Sequence, residues 1–179
     1  MWIEVIPLNN PSRDSLVAVV YAIQDGLGLK THISPSIDLP KDSYNAARKQ
    51  YYADSLLLLL SKIRTPSSLR TIGVIDEDLY SENLNYVFGS ASQTEKSAVV
   101  SLIRFTGNFW GLKEDSQLFL KRARKLVLHE LGHTLGLHHC TDPCCVMLFS
   151  NTLAELDSSS EHFCPSCAAK LNSFLETSR

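Results

Sequence analysis

One stretch of the chain reads His129-Glu130-Leu131-Gly132-His133-Thr134-Leu135-Gly136-Leu137-His138-His139. On a helix of about 3.6 residues per turn, His129 and His133 leave the same face one turn apart, where one zinc ion can take both imidazoles. Glu130 leaves an adjacent face, within reach of a water on that metal rather than of the metal itself. A carboxylate there can take a proton from the water as it attacks a carbonyl, then hand it to the departing amine. Gly136 can adopt positive φ, end the helix and turn the chain so that His139 swings back toward the metal. Three neutral imidazoles leave a fourth position open, as a catalytic zinc needs. His138 sits beside this register and reads as exposed or as a residue supporting the ligands. His32 and His162 read as structural residues.

The cysteines form a second cluster. All five, Cys140, Cys144, Cys145, Cys164 and Cys167, lie in the C-terminal part of the chain. An odd count with short spacings fits thiolates on a metal in a reducing compartment better than disulfides. Spacing alone leaves open whether Cys144 or Cys145 takes part. Met147, the one methionine after Met1, falls between the two groups.

Elements must hold these residues in place. Residues 2–6 alternate like a strand, 12–27 carry apolar residues at helical spacing, and 29–33 form a second short strand. Residues 42–64 predict one long helix stopped at Thr65-Pro66, its leucine run being core. Three more strands are expected at 70–75, 85–91 and 98–105. A helix over 114–137 carries the histidines, and irregular chain follows until a last helix from about Pro165. This order predicts a layered α/β domain of five strands with a small metal-stapled tail.

The histidine run, with Met147 shortly after it, resembles the signature of the metzincin class of zinc peptidases. Cys140 directly after His139, then Cys145 and the Cys164-Pro165-Ser166-Cys167 pair, is similar to the archaemetzincin family over residues 129–167. The resemblance implies a mixed α/β (α+β) fold: a twisted five-stranded mixed sheet with backing and active-site helices, and a small zinc-stapled C-terminal subdomain. It implies a division into 1–136 and 137–179, the second part carrying the third histidine, the methionine turn and the last helix. It implies two Zn2+ ions per chain, a catalytic one on His129, His133 and His139 and a structural one on Cys140, Cys145, Cys164 and Cys167. Met147 becomes the hydrophobic floor beneath the catalytic metal. The function implied is a zinc-dependent metallopeptidase that hydrolyses peptide bonds through a zinc-bound water activated by Glu130. Substrate would lie extended along an edge strand, expected at Val87, Phe88, Gly89, Ser90 and Ala91. Some metzincins carry a tyrosine two residues past the turn methionine; Phe149 stands there and brings no phenol. The alternative is a zinc-stapled binding or scaffold protein with little or no turnover. Because His139 and Cys140 are adjacent, the two metal sites should be coupled.

The rest of the composition narrows the partners. A chain of 179 residues with 44% hydrophobic and 20% charged residues can bury its own core. No run approaches the roughly 20 apolar residues of a membrane span, and the start lacks a secretory pattern, so a cytoplasmic protein without membrane attachment is expected. A net charge of −2 argues against nucleic acid as a partner, and the basic stretch from Lys121 to Lys125 reads as a solvated helix face. A monomer acting on a peptide or protein substrate is expected.

Overall fold

The chain's buried apolar runs become the inner strands of a single sheet. In the computed structural model, which describes residues 1–178, the order is β1 (Trp2–Pro7), α1 (Arg13–Leu27), β2 (Lys30–Ile33), β3 (Tyr44–Asn45), β4 (Gln50–Tyr52), α2 (Ala53–Ile63), β5 (Arg70–Ile75), β6 (Leu79–Tyr80), β7 (Gly89–Ser92), β8 (Ser97–Ser101), α3 (Ser116–Thr134), α4 (Leu153–Ser158) and α5 (Pro165–Thr177). The main sheet is ordered β2-β1-β5-β8-β7. Its first four strands are parallel and β7 is antiparallel to β8 at the edge. Every residue of β5 and β8 is buried, as strands covered on both faces must be. The sequence of β7, GSAS, is only half-buried throughout, which suits an edge.

Helices α1 and α3 cover one face, where Val19, Ile23, Val127 and Leu131 meet Ile3, Ile72 and Val100. Helix α2 covers the other, its leucines Leu56, Leu57 and Leu60 packing on Ile6, Ile75 and Val99. A third cluster, Leu128, Leu135, Met147, Cys164 and Leu171 among its members, joins the end of α3 to the C-terminal segment. No helix among the described residues is long and apolar enough to cross a membrane.

Several boundaries differ from the sequence expectation. In place of the long helix expected over 42–64 there is a short 3-10 turn at Lys41–Ser43, a β3–β4 hairpin, and only then α2. Asn45 Oδ1 accepts from the Ala47 and Arg48 N–H groups, Lys49 takes φ 55°, and Tyr44 stacks across from Tyr51. Local turn chemistry and paired aromatics thus win over helical spacing. The last inner strand stops at Ser101, and a 3-10 turn at Ile103–Phe105 follows. Helix α4 falls where the sequence predicts irregular chain. A local signal does mark it: the Thr152 hydroxyl accepts from the Glu155 N–H while Glu155 reaches back to the Thr152 N–H, a capping box.

The histidine-bearing helix is fixed at both ends. Asp115 Oδ1 accepts from the N–H groups of Gln117 and Leu118, starting α3 at Ser116 rather than at 114. At the other end Gly136 takes φ 92°, its N–H bonding the His133 carbonyl at 3.1 Å while Leu137 N–H bonds that of Gly132 at 2.9 Å. This pair of hydrogen bonds ends the helix at Thr134 rather than at 137. From β5, the buried Arg70 side chain donates through Nε to the Thr134 carbonyl at 2.7 Å, placing a cation at the negative end of the helix.

Candidate active site and metal centres

His129 and His133 project from α3 on one face, and the turn at Gly136 brings His139 to them. One ring nitrogen from each of the three lies within 4.8 Å of the others. The geometry fixes which nitrogens are free. Nδ1 of His129 lies 2.9 Å from the Val146 carbonyl, and Nδ1 of His133 lies 2.8 Å from that of Leu137. A carbonyl only accepts, so each Nδ1 carries the proton and each Nε2 is a bare lone pair. These two Nε2 atoms are 3.0 Å apart. Bare lone pairs that close call for a shared cation; ligand nitrogens on a tetrahedral zinc stand about 3.3 Å apart. The donor set therefore fits a zinc ion. Burial, aided by the neighbouring imidazoles, pushes His129 down to about 4. It lowers His133 and His139 as well, keeping the rings in the neutral form that ligates.

Glu130 is almost fully buried and lines the same cavity of about 280 Å³ as the three histidines. Burial pushes its carboxyl up to about 8, a shift that a cation at the histidines opposes by favouring the carboxylate. Met147 is wholly buried, and its carbonyl accepts the Cys140 N–H at 2.9 Å, tying the chain after His139 to the Met147 segment. The Phe149 ring lies 4.8 Å from that of His139 and is half-exposed. His138 and His162 are exposed, and His32 is an exposed partner of Trp2.

Cys140, Cys145, Cys164 and Cys167 bring their sulfurs within 4.8 Å of one another, whereas Cys144 is exposed and outside the group. The Cys140 and Cys164 sulfurs are 3.9 Å apart, close to the roughly 3.8 Å of two thiolates on one tetrahedral zinc. Cys164 caps α5 with Pro165 at its first position, and Cys167 lies in the first turn, so both face the positive end of the helix. The Cys167 N–H holds the Cys164 thiol down, while burial pushes Cys145 and Cys167 up; a divalent ion favours all four as thiolates.

Of the five residues expected on the edge strand, Gly89, Ser90 and Ala91 lie in β7. Val87 bridges to β6, and Phe88 is buried between the Tyr86 and Phe105 rings. All five line the histidine cavity. The basic stretch is not a solvated face: Arg122 pairs with Asp157, Arg124 with Asp25, and Lys125 is buried. Sequence reasoning misses Lys125, although its place four residues before His129 puts it on the ligand face of α3.

Comparison with known proteins bears on this arrangement. The model of Peptidase family M54 matches residues 12–173. An archaemetzincin of Thermococcus kodakarensis is 39% identical over 157 residues, 87% of this chain and 84% of that protein. The crystal structure of archaemetzincin from Methanopyrus kandleri superposes with a TM-score of 0.84 at 34% identity, covering 98% of this chain and 96% of the other. That of a zinc-dependent peptidase from Methanocorpusculum labreanum gives 0.84 at 26% identity, over 95% and 100% of the two chains.

Proposed function

The chain belongs to Peptidase family M54, a family of zinc metallopeptidases, and from that premise we propose that it cleaves peptide bonds at the three-histidine centre with Glu130 as general base. His129 and His133, through Nε2, and His139 would hold the catalytic ion; Cys140, Cys145, Cys164 and Cys167 would hold a second, structural one. Bound there, zinc would supply Lewis acidity toward the scissile carbonyl and the attacking water. The Val146 and Leu137 carbonyls keep the imidazoles oriented and in the ligating tautomer. Glu130 takes the proton of the attacking water on its carboxylate and returns it to the leaving amine. Its burial keeps bulk water from competing for that proton.

The substrate backbone is read as an added strand on β7. The Ser101 N–H donates to the Phe88 carbonyl at 2.8 Å, so alternation along the ladder turns Ser90 toward β8 and leaves the polar groups of Gly89 and Ala91 facing outward. Met147 serves as the floor. A two-part division at 136/137, with the C-terminal part gathered on its own apolar cluster, belongs to the same reading, as does a monomer in the cytoplasm, where five unpaired thiols are stable.

The observation that carries this reading is that Glu130 shares one cavity with three imidazoles whose ligating nitrogens converge. The test is metal content per chain together with cleavage of a mixed peptide library. Two zinc ions and hydrolysis that stops on chelation are expected. Two zinc ions with no hydrolysis would instead make the protein a zinc-stapled scaffold.

A further inference from the structure

The stretch from Lys121 to Lys125 contains a buried cation that the ion pairs do not use. Arg122 grips Asp157 through Nε and Nη2 at 2.8 and 2.7 Å, and Arg124 reaches Asp25 at 2.5 Å. Lys125 is only 5% exposed and meets no carboxylate at salt-bridge distance among the described residues. Its ammonium donates to the carbonyls of Leu156 and Asp157, at 2.8 and 2.9 Å, near the end of α4. An ammonium has three N–H donors, so one remains for a further acceptor. Lys125, His129 and His133 are spaced four residues apart on one face of α3, and Lys125 lines the same cavity as the histidines and Glu130.

Ser150 lines that cavity too. Its hydroxyl is the one buried side-chain polar group among the described residues with no hydrogen-bond partner. A buried cation whose nearest carboxylates, Asp157 and Glu161, act on it only from beyond salt-bridge distance, and a buried hydroxyl without a partner, are each unfavourable until something satisfies them. The same cavity also has apolar walls, with Leu126, Leu156 and Phe88 among the lining residues. A group that meets all three surfaces has an aliphatic stem and a terminal anion.

We propose that this cavity holds a specificity subsite for a substrate carboxylate, which Lys125 Nζ and Ser150 Oγ bind while Leu126 and Leu156 pack against the stem. The carboxylate is either the side chain of an acidic residue beside the scissile bond, glutamate filling the apolar stretch best, or the free carboxyl terminus of a peptide. This rests on the peptidase reading and names its substrate class. Helix α4 then acquires a function within the site, because its last carbonyls hold the Lys125 ammonium in place.

The test uses the zinc-loaded full chain as wild type, Lys125→Met and Ser150→Ala. Peptides blocked at both ends carry Glu, Gln or Leu beside the cleavable bond; a further pair ends in a free or an amidated carboxyl group. The wild type should favour Glu over Gln, or the free terminus over its amide, by at least about tenfold in kcat/KM. The favoured peptide tells the two sources apart. Lys125→Met should bring the ratio close to one, and Ser150→Ala should lower it. A purely structural Lys125 would depress both peptides of a pair together and leave their ratio unchanged, overturning the proposal. Equal wild-type rates would overturn it as well. Should Lys125→Met fail to fold, the wild-type ratio and Ser150→Ala carry the test. Should no peptide be cleaved, calorimetric binding of the same pairs decides: a carboxylate preference that Ser150→Ala weakens sustains the subsite without the peptidase reading, and equal binding ends it.

Discussion

Gly89 of the edge strand and Glu130 of the helix beneath it are packed so closely that a β-carbon at position 89 would stand 2.8 Å from the Glu130 Cγ and 3.0 Å from its Cδ. The Val99 carbonyl oxygen, 2.9 Å from the same point, closes the other side. The bare backbone of β7 is thus what allows a carboxylate to lie directly under the sheet edge.

Replacing Gly89 by alanine should therefore displace the Glu130 side chain, because the β8 backbone cannot yield. A base misplaced by about 1 Å costs on the order of a hundredfold in kcat. Steady-state kinetics beside metal analysis checks this: kcat should fall at least about tenfold with zinc content unchanged. Wild-type kcat in a folded Gly89→Ala would show that the contact does not position the base.

Cys164→Ser should weaken both metal centres. Cys140 follows His139 directly, and the Cys140 N–H is bonded to the Met147 carbonyl, one residue from the Val146 carbonyl that orients His129. Loosening the four-cysteine group frees that segment. Titration with a competing chelator should remove zinc from the histidine site at lower chelator concentration than in the wild type; identical retention would show that the two centres are independent.

Acid stability should depend on Glu4. This carboxylate is 3% exposed on β1 and accepts hydrogen bonds from the Thr65 N–H and hydroxyl, the Ser34 hydroxyl and the Thr71 hydroxyl. Burial pushes its pKa up, but these four donors outweigh burial and hold it below the ordinary glutamate value. A depressed pKa means that the stabilisation is present in full above about pH 4.5 and is lost as pH falls through the lowered value. Glu4→Gln should cost about 2 kcal/mol at neutral pH and flatten the loss of Tm on acidification. Parallel acid profiles for variant and wild type would count against this role.

Met147→Ala should destabilise the fold by about 2–5 kcal/mol, since the side chain is wholly buried where the end of α3 meets the C-terminal segment. Met147→Leu should cost less than about 1.5 kcal/mol, because shape is conserved and the sulfur is given no ligating role. Chemical denaturation of the two variants checks both values; a Leu variant that loses zinc would point to direct coordination.

The chemistry is more legible in the sequence than the scaffold is. The histidine register and the turn at Gly136 depend on local helix geometry, which spacing encodes directly, and Leu56, Leu57 and Leu60 of the leucine run are core as expected, with Leu58 exposed. Residues 42–52 read as helix because a hairpin held by Asn45 and facing tyrosines shares its composition with one. Strand β7 begins later than composition suggests, because Tyr86, Val87 and Phe88 look like strand residues although the last two serve a bridge to β6 and the core. Lys125 has the sequence context of a solvated lysine, since nothing local announces that α4 folds over it. For β7 and Lys125 the deciding contact comes from distant parts of the chain, whereas for residues 42–52 it is local turn chemistry that helical spacing does not read.

The most direct test of the account is turnover by Glu130→Gln. The substitution keeps the side chain's size within its buried setting but removes the proton acceptor. With two zinc ions bound per chain, kcat should fall by about 10²–10⁴ relative to wild type. A fully metal-loaded Glu130→Gln protein that cleaves peptides at the wild-type rate would contradict it.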